Sequence, residues 1–359
     1  MTDSRPKKTN VVYSPVDLPR MTGQVPFVKL ILIVLIVCFA GMSRGQQKPQ
    51  WLPGQVGLNA GILPSPGFTY VNIAVRYNAG RFNGPSGNAI LTNLIGNGNY
   101  TVWADESLFY YVFPGKFLGG NYGAMVGITP VSGYLTADIL PNLTDLTASA
   151  GGSGLTDLWF QPLSLGWHAK RVDFQVGDGM VFPTGRYTPG ASDNVGSGYY
   201  GNHVQTGTTY YVTKNKGTSA NLFTDWEIHS QRPGTNGTEK TPGQAFSMEW
   251  GLGQVLPLKK NMTQLLQLGV VGYDQWQVTD NGGTVSIPGT SLTVAASRIP
   301  YYSVYAVGGQ ANYILPTKNL VAFFKYYDEY LSYSHFQGTT IVFGLNWTIL
   351  EPKPTAHQP

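Results

Sequence analysis

Seven charged residues lie in segments that otherwise alternate apolar with polar: Arg76, Asp157, Glu227, Glu249, Asp274, Lys325 and Glu329. Alternation of period two marks a β-strand, whose successive side chains point to opposite faces. Lys325 and Glu329 share a face with Tyr327, opposite Leu320, Ala322, Phe324 and Tyr326. If the apolar face meets lipid, a charge on it costs ~2–4 kcal/mol near the midplane, so charges are expected to face a polar interior. There they either close into salt bridges or form a polar track and ligand-binding constriction. Arg76, Glu249, Tyr273, Gln277, Lys325 and Glu329 are the expected lumen or substrate-binding residues. Phe109, Tyr111 and Gln275 extend that lining, and a throat of aromatic and amide groups suits a small apolar or aromatic solute.

Other chemistry lacks its residues. His168, His203, His229 and His335 fall at strand ends or in different strands, with no partner at catalytic or metal-ligand spacing, and His357 lies in the tail. No Gly-x-Ser-x-Gly elbow is present, so a Ser-His-acid hydrolase would have to be assembled in three dimensions. The expectation is therefore a protein that is not an enzyme, with no catalytic residue, metal or cofactor.

Twelve strands are predicted near 68–78, 105–113, 120–131, 156–167, 172–183, 202–213, 220–230, 244–255, 264–277, 300–314, 320–330 and 338–350, with ten or fourteen as alternatives. In the last of these Ile341, Phe343, Leu345, Trp347 and Ile349 share one face, with Val342 an apolar intruder on the other. Connections alternate. Tight turns such as Pro114-Gly-Lys116, Lys214-Asn-Lys-Gly217 and Pro316-Thr-Lys-Asn319 collect lysines, whereas residues 79–104, 132–155, 184–201, 231–243 and 278–299 are long and rich in Gly, Asn, Ser and Thr. Charged residues make up only 12% of the chain, against ~25% in ordinary soluble domains, while aromatics reach 13%. Together these features predict an all-β protein, a transmembrane antiparallel up-and-down β-barrel of the outer-membrane type. Tyr110, Trp159, Trp167, Trp226, Trp250, Tyr301, Tyr302 and Trp347 are expected in its interfacial aromatic girdles.

The apolar run at residues 30–41 is too short for a spanning helix, which needs ~20 residues, and suits the core of a signal peptide. Residues 1–45 are expected to be an N-terminal extension and signal, with translation starting at Met1 or Met21. The sole cysteine, Cys38, lies in that run, so the mature chain is expected to lack disulfides. Residues 1–45 also hold six of the 23 basic and two of the 19 acidic residues, so the remainder is formally neutral and nucleic acid is not an expected partner. A Pro-rich lead at 46–67, in the periplasm or in the lumen as a small plug, precedes the barrel at 68–350 and a tail at 351–359. The expected location is the outer membrane of a Gram-negative cell, with the lipid bilayer and the outer-membrane assembly machinery as partners.

Short motifs occur in a suggestive order: Leu63-Pro-Ser-Pro-Gly67, Tyr77 and Arg81-Phe82; Gly119-Gly-Asn-Tyr-Gly123; Asp157, Pro162 and Gly166-Trp-His168; Phe182-Pro-Thr-Gly-Arg-Tyr187. Gly272-Tyr273, Gln277, Asp280, Gly308, Gln310, Lys325-Tyr326, Glu329 and Gly338 continue it. This order resembles the outer-membrane family labelled as the MetA pathway of phenol degradation, whose members are described as transporters. Ser334-His-Phe336 and the twelve residues beyond Trp347 depart from its pattern. The resemblance implies a porin-like channel for aromatic compounds but names no binding residue. The expected function is passive uptake of small hydrophobic or aromatic molecules. A plugged structural or adhesive barrel, or an outer-membrane hydrolase, is the alternative.

Overall fold

The computed structural model describes residues 49–89, 95–139, 146–286 and 291–350; the expected signal segment and tail lie outside the described residues. Strands β1 (Gly67–Phe82), β2 (Ile95–Phe117), β3 (Gly120–Ile128), β4 (Pro130–Ile139), β5 (Leu146–Leu155) and β6 (Leu158–His168) come first. They are followed by β7 (Val172–Phe182), β8 (Gly201–Tyr211), β9 (Thr218–His229), β10 (Arg232–Pro233), β11 (Glu239–Thr241) and β12 (Ala245–Pro257). Next are β13 (Leu265–Gln277), β14 (Gly282–Ser286), β15 (Thr293–Ala295), β16 (Ser303–Leu315), β17 (Leu320–Tyr333) and β18 (Phe336–Leu350).

Twelve of these strands close a barrel. Antiparallel pairing runs β1-β18-β17-β16-β13-β12-β9-β8-β7-β6-β3-β2, and β2 pairs back onto β1. Closure satisfies the backbone of every barrel strand on both sides and leaves no edge, the condition for a sheet to sit in hydrocarbon. Eleven of the twelve predicted strands overlap their counterparts closely; the second is much longer than predicted, beginning at Ile95.

The long connections hold more strand than their composition suggests. Within 132–155, expected as a loop, residues 132–139 belong to β4 and 146–155 to β5, which pair from Pro130↔Leu155 to Ile139↔Leu146. Strand β4 carries β3 onward past Thr129 along the first half of β2, and β5 returns into β6. Its sequence, Leu146-Thr-Ala-Ser-Ala-Gly-Gly-Ser-Gly-Leu155, alternates only small residues with polar ones and is glycine-rich, which is the reason its strand character is not legible. Strands β10, β11, β14 and β15 form a second, small sheet between β9 and β16.

The outer face is apolar. Leu252, Val270, Phe343, Trp347 and Ile349 are all exposed, Phe343 to 57% and Leu252 to 62%. A continuous belt of such side chains has no place in water and fits lipid. Inside, Ile73, Val75, Val271, Tyr273, Val304, Tyr327 and Val342 form a buried cluster with Leu58, a residue of the lead. Val342 thus points inward and belongs to the interior packing.

Phe343 lies at the middle of β18, with its ring 5.0 Å from Phe324 of β17. Replacing it with Arg is expected to lower stability in a bilayer by about 2–4 kcal/mol, measured by urea titration of folding into vesicles. An unchanged midpoint would show that this face does not meet lipid.

Candidate functional site: the occupied lumen

The barrel interior is filled by the chain's own lead. Residues 49–66 have no helix or strand, and apart from a turn in which Ile62 N–H donates to the Asn59 carbonyl at 3.0 Å their backbone groups need partners elsewhere. The wall supplies the partners. Glu227 accepts the backbone N–H groups of Gln50 (2.8 Å) and Trp51 (3.1 Å). Glu249 accepts the Trp51 indole N–H (3.1 Å) and the N–H groups of Val56 (2.9 Å) and Gly57 (3.1 Å). Lys325 donates to the carbonyls of Gly54 (3.2 Å), Gln55 and Val56 (3.0 Å). The bend at residues 54–57 is therefore gripped at both poles, its carbonyls by an ammonium and its N–H groups by a carboxylate. Hydrogen bonds to charged groups are about twice as strong as neutral ones.

Farther along, neutral groups take over. Gln310 Oε1 accepts from Leu58 N at 3.0 Å, Asn221 Oδ1 from Asn59 N at 2.9 Å and Thr209 Oγ1 from Gly61 N at 2.9 Å. Gln175 Nε2 donates to the Ala60 carbonyl at 2.6 Å. The fit needs glycine on both sides. Gly57 has φ +63°, and a Cβ there would fall 2.3 Å from Gln310 Oε1; one on Gly207 of the wall would fall 1.9 Å from the Ala60 carbonyl oxygen.

Five of the six expected lumen residues face this interior. Glu249 and Lys325 meet through the lead as described. Glu329 accepts from the hydroxyls of Tyr273 and Tyr77, each at 2.9 Å, and from Gly338 N at 2.6 Å. Tyr273 also packs on Tyr327, ring centroids 5.1 Å apart. Gln277 is buried near the loop end of β13 and donates to the Thr279 carbonyl at 2.8 Å. Arg76 does not join them. It is exposed on the outward face of β1, its guanidinium 5.2 Å from the Trp103 ring centroid. The reason is a reversal of parity: Ile73, Val75 and Tyr77 turn inward to pack the interior, which sends Asn72 and Arg76 out. Asn72 satisfies itself on Asp105 at 2.6 Å.

Other expectations fail as well. Phe109 and Tyr111 are exposed on the outer side of β2, whereas Tyr110 is buried inside against Leu63. Trp159 faces Trp51 and His203 in the interior, Tyr302 is buried, and Asp274 accepts from outward-facing Trp250 at 3.2 Å. Gln275, as expected, is interior and donates to the Trp51 carbonyl at 3.1 Å. Trp51 and Leu58 gave no sequence signal, because the lead has no periodicity. His203 was legible only as a polar residue of a separate strand, and Asp225 was not singled out. The register that brings His203 opposite Glu227 is not written in either strand alone.

Beyond the barrel, the small sheet buries Lys240 of β11, with no hydrogen-bond partner for its Nζ among the described residues. Burial, with a smaller effect from Arg232, pulls this amine down to about 7 from the usual 10.5. Between those values the unfolded segment holds a proton that the folded one does not, so the small sheet gains stability as pH rises across the window and sits on its lower plateau below about 7. Amide exchange of β11, corrected for intrinsic rate, is expected to follow this trend, and Lys240→Met is expected to flatten it.

Losing one charged hydrogen bond of ~1.5–3 kcal/mol should raise exposure of the lead tenfold or more. With Cys38→Ser and a reporter cysteine at Gln55, maleimide labelling is expected to be slow in the parent and at least about tenfold faster with Glu249→Gln or Lys325→Met. Equal rates would show that the grip on residues 54–57 is not what seats the lead.

The architecture has precedents among solved structures. The COG4313 outer membrane channel from Pseudomonas putida F1 superposes with a TM-score of 0.61 at 12% identity, covering 84% of this chain and 100% of that one. The β domain of the Bordetella autotransporter BrkA gives a TM-score of 0.44 at 9% identity, over 79% and 100% of the two chains. At these identities the likeness to the channel is one of fold, that of an outer-membrane barrel. Comparison with curated proteins gave no match. Residues 79–345, which span β1 to β18 and include Tyr273, Lys325 and Glu329, match the family described as "Putative MetA-pathway of phenol degradation", and the chain belongs to that family.

Proposed function

We propose that this protein is an integral channel of the Gram-negative outer membrane for passive entry of small hydrophobic or aromatic molecules. The observation that carries the proposal is the character of the interior wall. A general porin encloses a polar, water-filled lumen. Here Ile73, Val75, Val271, Tyr273, Val304, Tyr327 and Val342 make a continuous apolar and aromatic surface on one side of the interior. Such a surface rewards an apolar solute and offers a sugar no partners. The family's description, with its reference to phenol degradation, supports the same class of solute, and the solved channel of this fold supports a channel.

In this scheme the long loops collect solute, the tyrosine and amide-lined throat admits it, and the short turns release it to the periplasm. Tyr273 and Gln277 line the throat. Glu249 and Lys325 hold the lead that narrows it, and Glu329 fixes Tyr77 and Tyr273 in place. Passage requires the lead to yield, which makes it a gate. The occupied lumen also favours a second reading, a plugged structural barrel.

Flux into liposomes separates the two. Aromatics cross lipid unaided, so only entry above protein-free vesicles counts. Entry of phenol-like solutes with sugars of matching size excluded is expected, and removal of residues 49–60 is expected to raise entry of both. Equal entry of both in the intact chain would make it a general porin, and no entry would make it a structural barrel.

A further inference from the structure

Strands β8 and β9 bring an unusual set of groups together on their inward faces. Gln205 lies opposite Asp225, His203 opposite Glu227, and Gly201 opposite His229. His203, Asp225 and Glu227 are fully buried, and one donor atom from each lies within 4.8 Å of the other two. Among the described residues neither carboxylate has a lysine or arginine within ion-pairing distance; their charged contacts are with imidazoles alone. Two carboxylates buried this way call for further positive charge.

The orientation of His203 indicates where that charge would sit. Its Nδ1 lies 3.0 Å from Asp225 Oδ2 and 3.2 Å from Oδ1, so Nδ1 carries a hydrogen, and in the neutral ring that a metal ion selects Nε2 presents a lone pair. That Nε2 is buried and has no partner among the described residues. The side-chain oxygen of Gln50, from the lead, is likewise buried without a partner. Both converge on Gly201: a Cβ there would lie 1.7 Å from Gln50 Oε1 and 3.3 Å from His203 Nε2, so any larger residue would fill the space between strand and lead. Glu227 borders it, since it accepts the backbone N–H of the same Gln50 at 2.8 Å. His229 is already engaged at both nitrogens, by Glu227 at 3.1 Å and the Gly243 carbonyl at 3.0 Å.

A neutral imidazole held by a carboxylate on one nitrogen and offering the other is the arrangement of a metal-binding histidine with its outer-shell partner. We propose that His203 Nε2, Gln50 Oε1 and the Glu227 carboxylate bind a divalent transition-metal cation. Asp225 acts as the positioning residue for His203. One imidazole among oxygen donors suits an ion of borderline softness such as zinc. Because Gln50 belongs to the lead and the other donors to the wall, the ion ties the lead to β8 and β9.

The test uses the untagged chain, folded in detergent and equilibrated with zinc, with bound metal counted by elemental analysis after removal of free ion. One zinc per chain is expected. His203→Ala is expected to weaken binding at least about a hundredfold, and Asp225→Asn by about 10–100-fold, as for other outer-shell partners. If His203→Ala does not fold, Gln50→Ala, altered only in the lead, decides the matter with an expected weakening of at least about tenfold. Absence of bound zinc in the parent chain, or retention at unchanged affinity in the folded variants, would overturn the proposal.

Discussion

An irregular chain inside a barrel can satisfy few of its backbone groups by itself and must send most of its hydrogen bonds to the side chains of the wall. That constraint organises the interior. Burying a peptide group without a partner costs roughly 1–3 kcal/mol, so each uncoiled residue of the lead needs a dedicated acceptor or donor. Glu227, Glu249, Gln310, Asn221, Thr209, Gln175 and Lys325 answer that need one by one. Much of the polarity that an empty pore would turn toward water is here directed at a segment of the same polypeptide.

The constraint changes what an interior charge means. Glu249 and Lys325 look like a pore-lining pair when read along their strands, yet their bonds go to N–H and C=O groups of residues 54–57. Glu329 spends both oxygens on tyrosines and a glycine N–H of the wall. The apolar cluster around Leu58 has the same logic, since a lead that occupies the lumen brings a hydrophobic side chain that must be covered. Apolar residues on the inward face of β1 follow from it.

How much of this could be seen in the chain alone depends on the length of the pattern. Strands such as β12, with Phe246, Met248, Trp250 and Leu252 out and Ser247 and Glu249 in, state both their type and their orientation. Strand β1 states only its type. Its two faces are both partly apolar, and the choice between them is made by Leu58, in the aperiodic lead just before it, and Tyr273, far away in sequence. Arg76 was misplaced for that reason. The lead was visible as a segment but not as a filling, and β5 was hidden because its small, glycine-rich residues give a weak strand signal.

The seating of the lead also carries a consequence for the order of assembly. Its bonds to the wall join residues from 115 to 271 positions apart in sequence, the longest reaching Lys325 on the next-to-last strand. Contacts of such separation are slow to form, because the entropy of closing so long a chain is lost before they return anything. The segment made first among these residues is therefore fixed last, once β17 exists, and the seam between β1 and β18 must close around it. The first strand enters the membrane trailing a segment whose binding partners have yet to arrive.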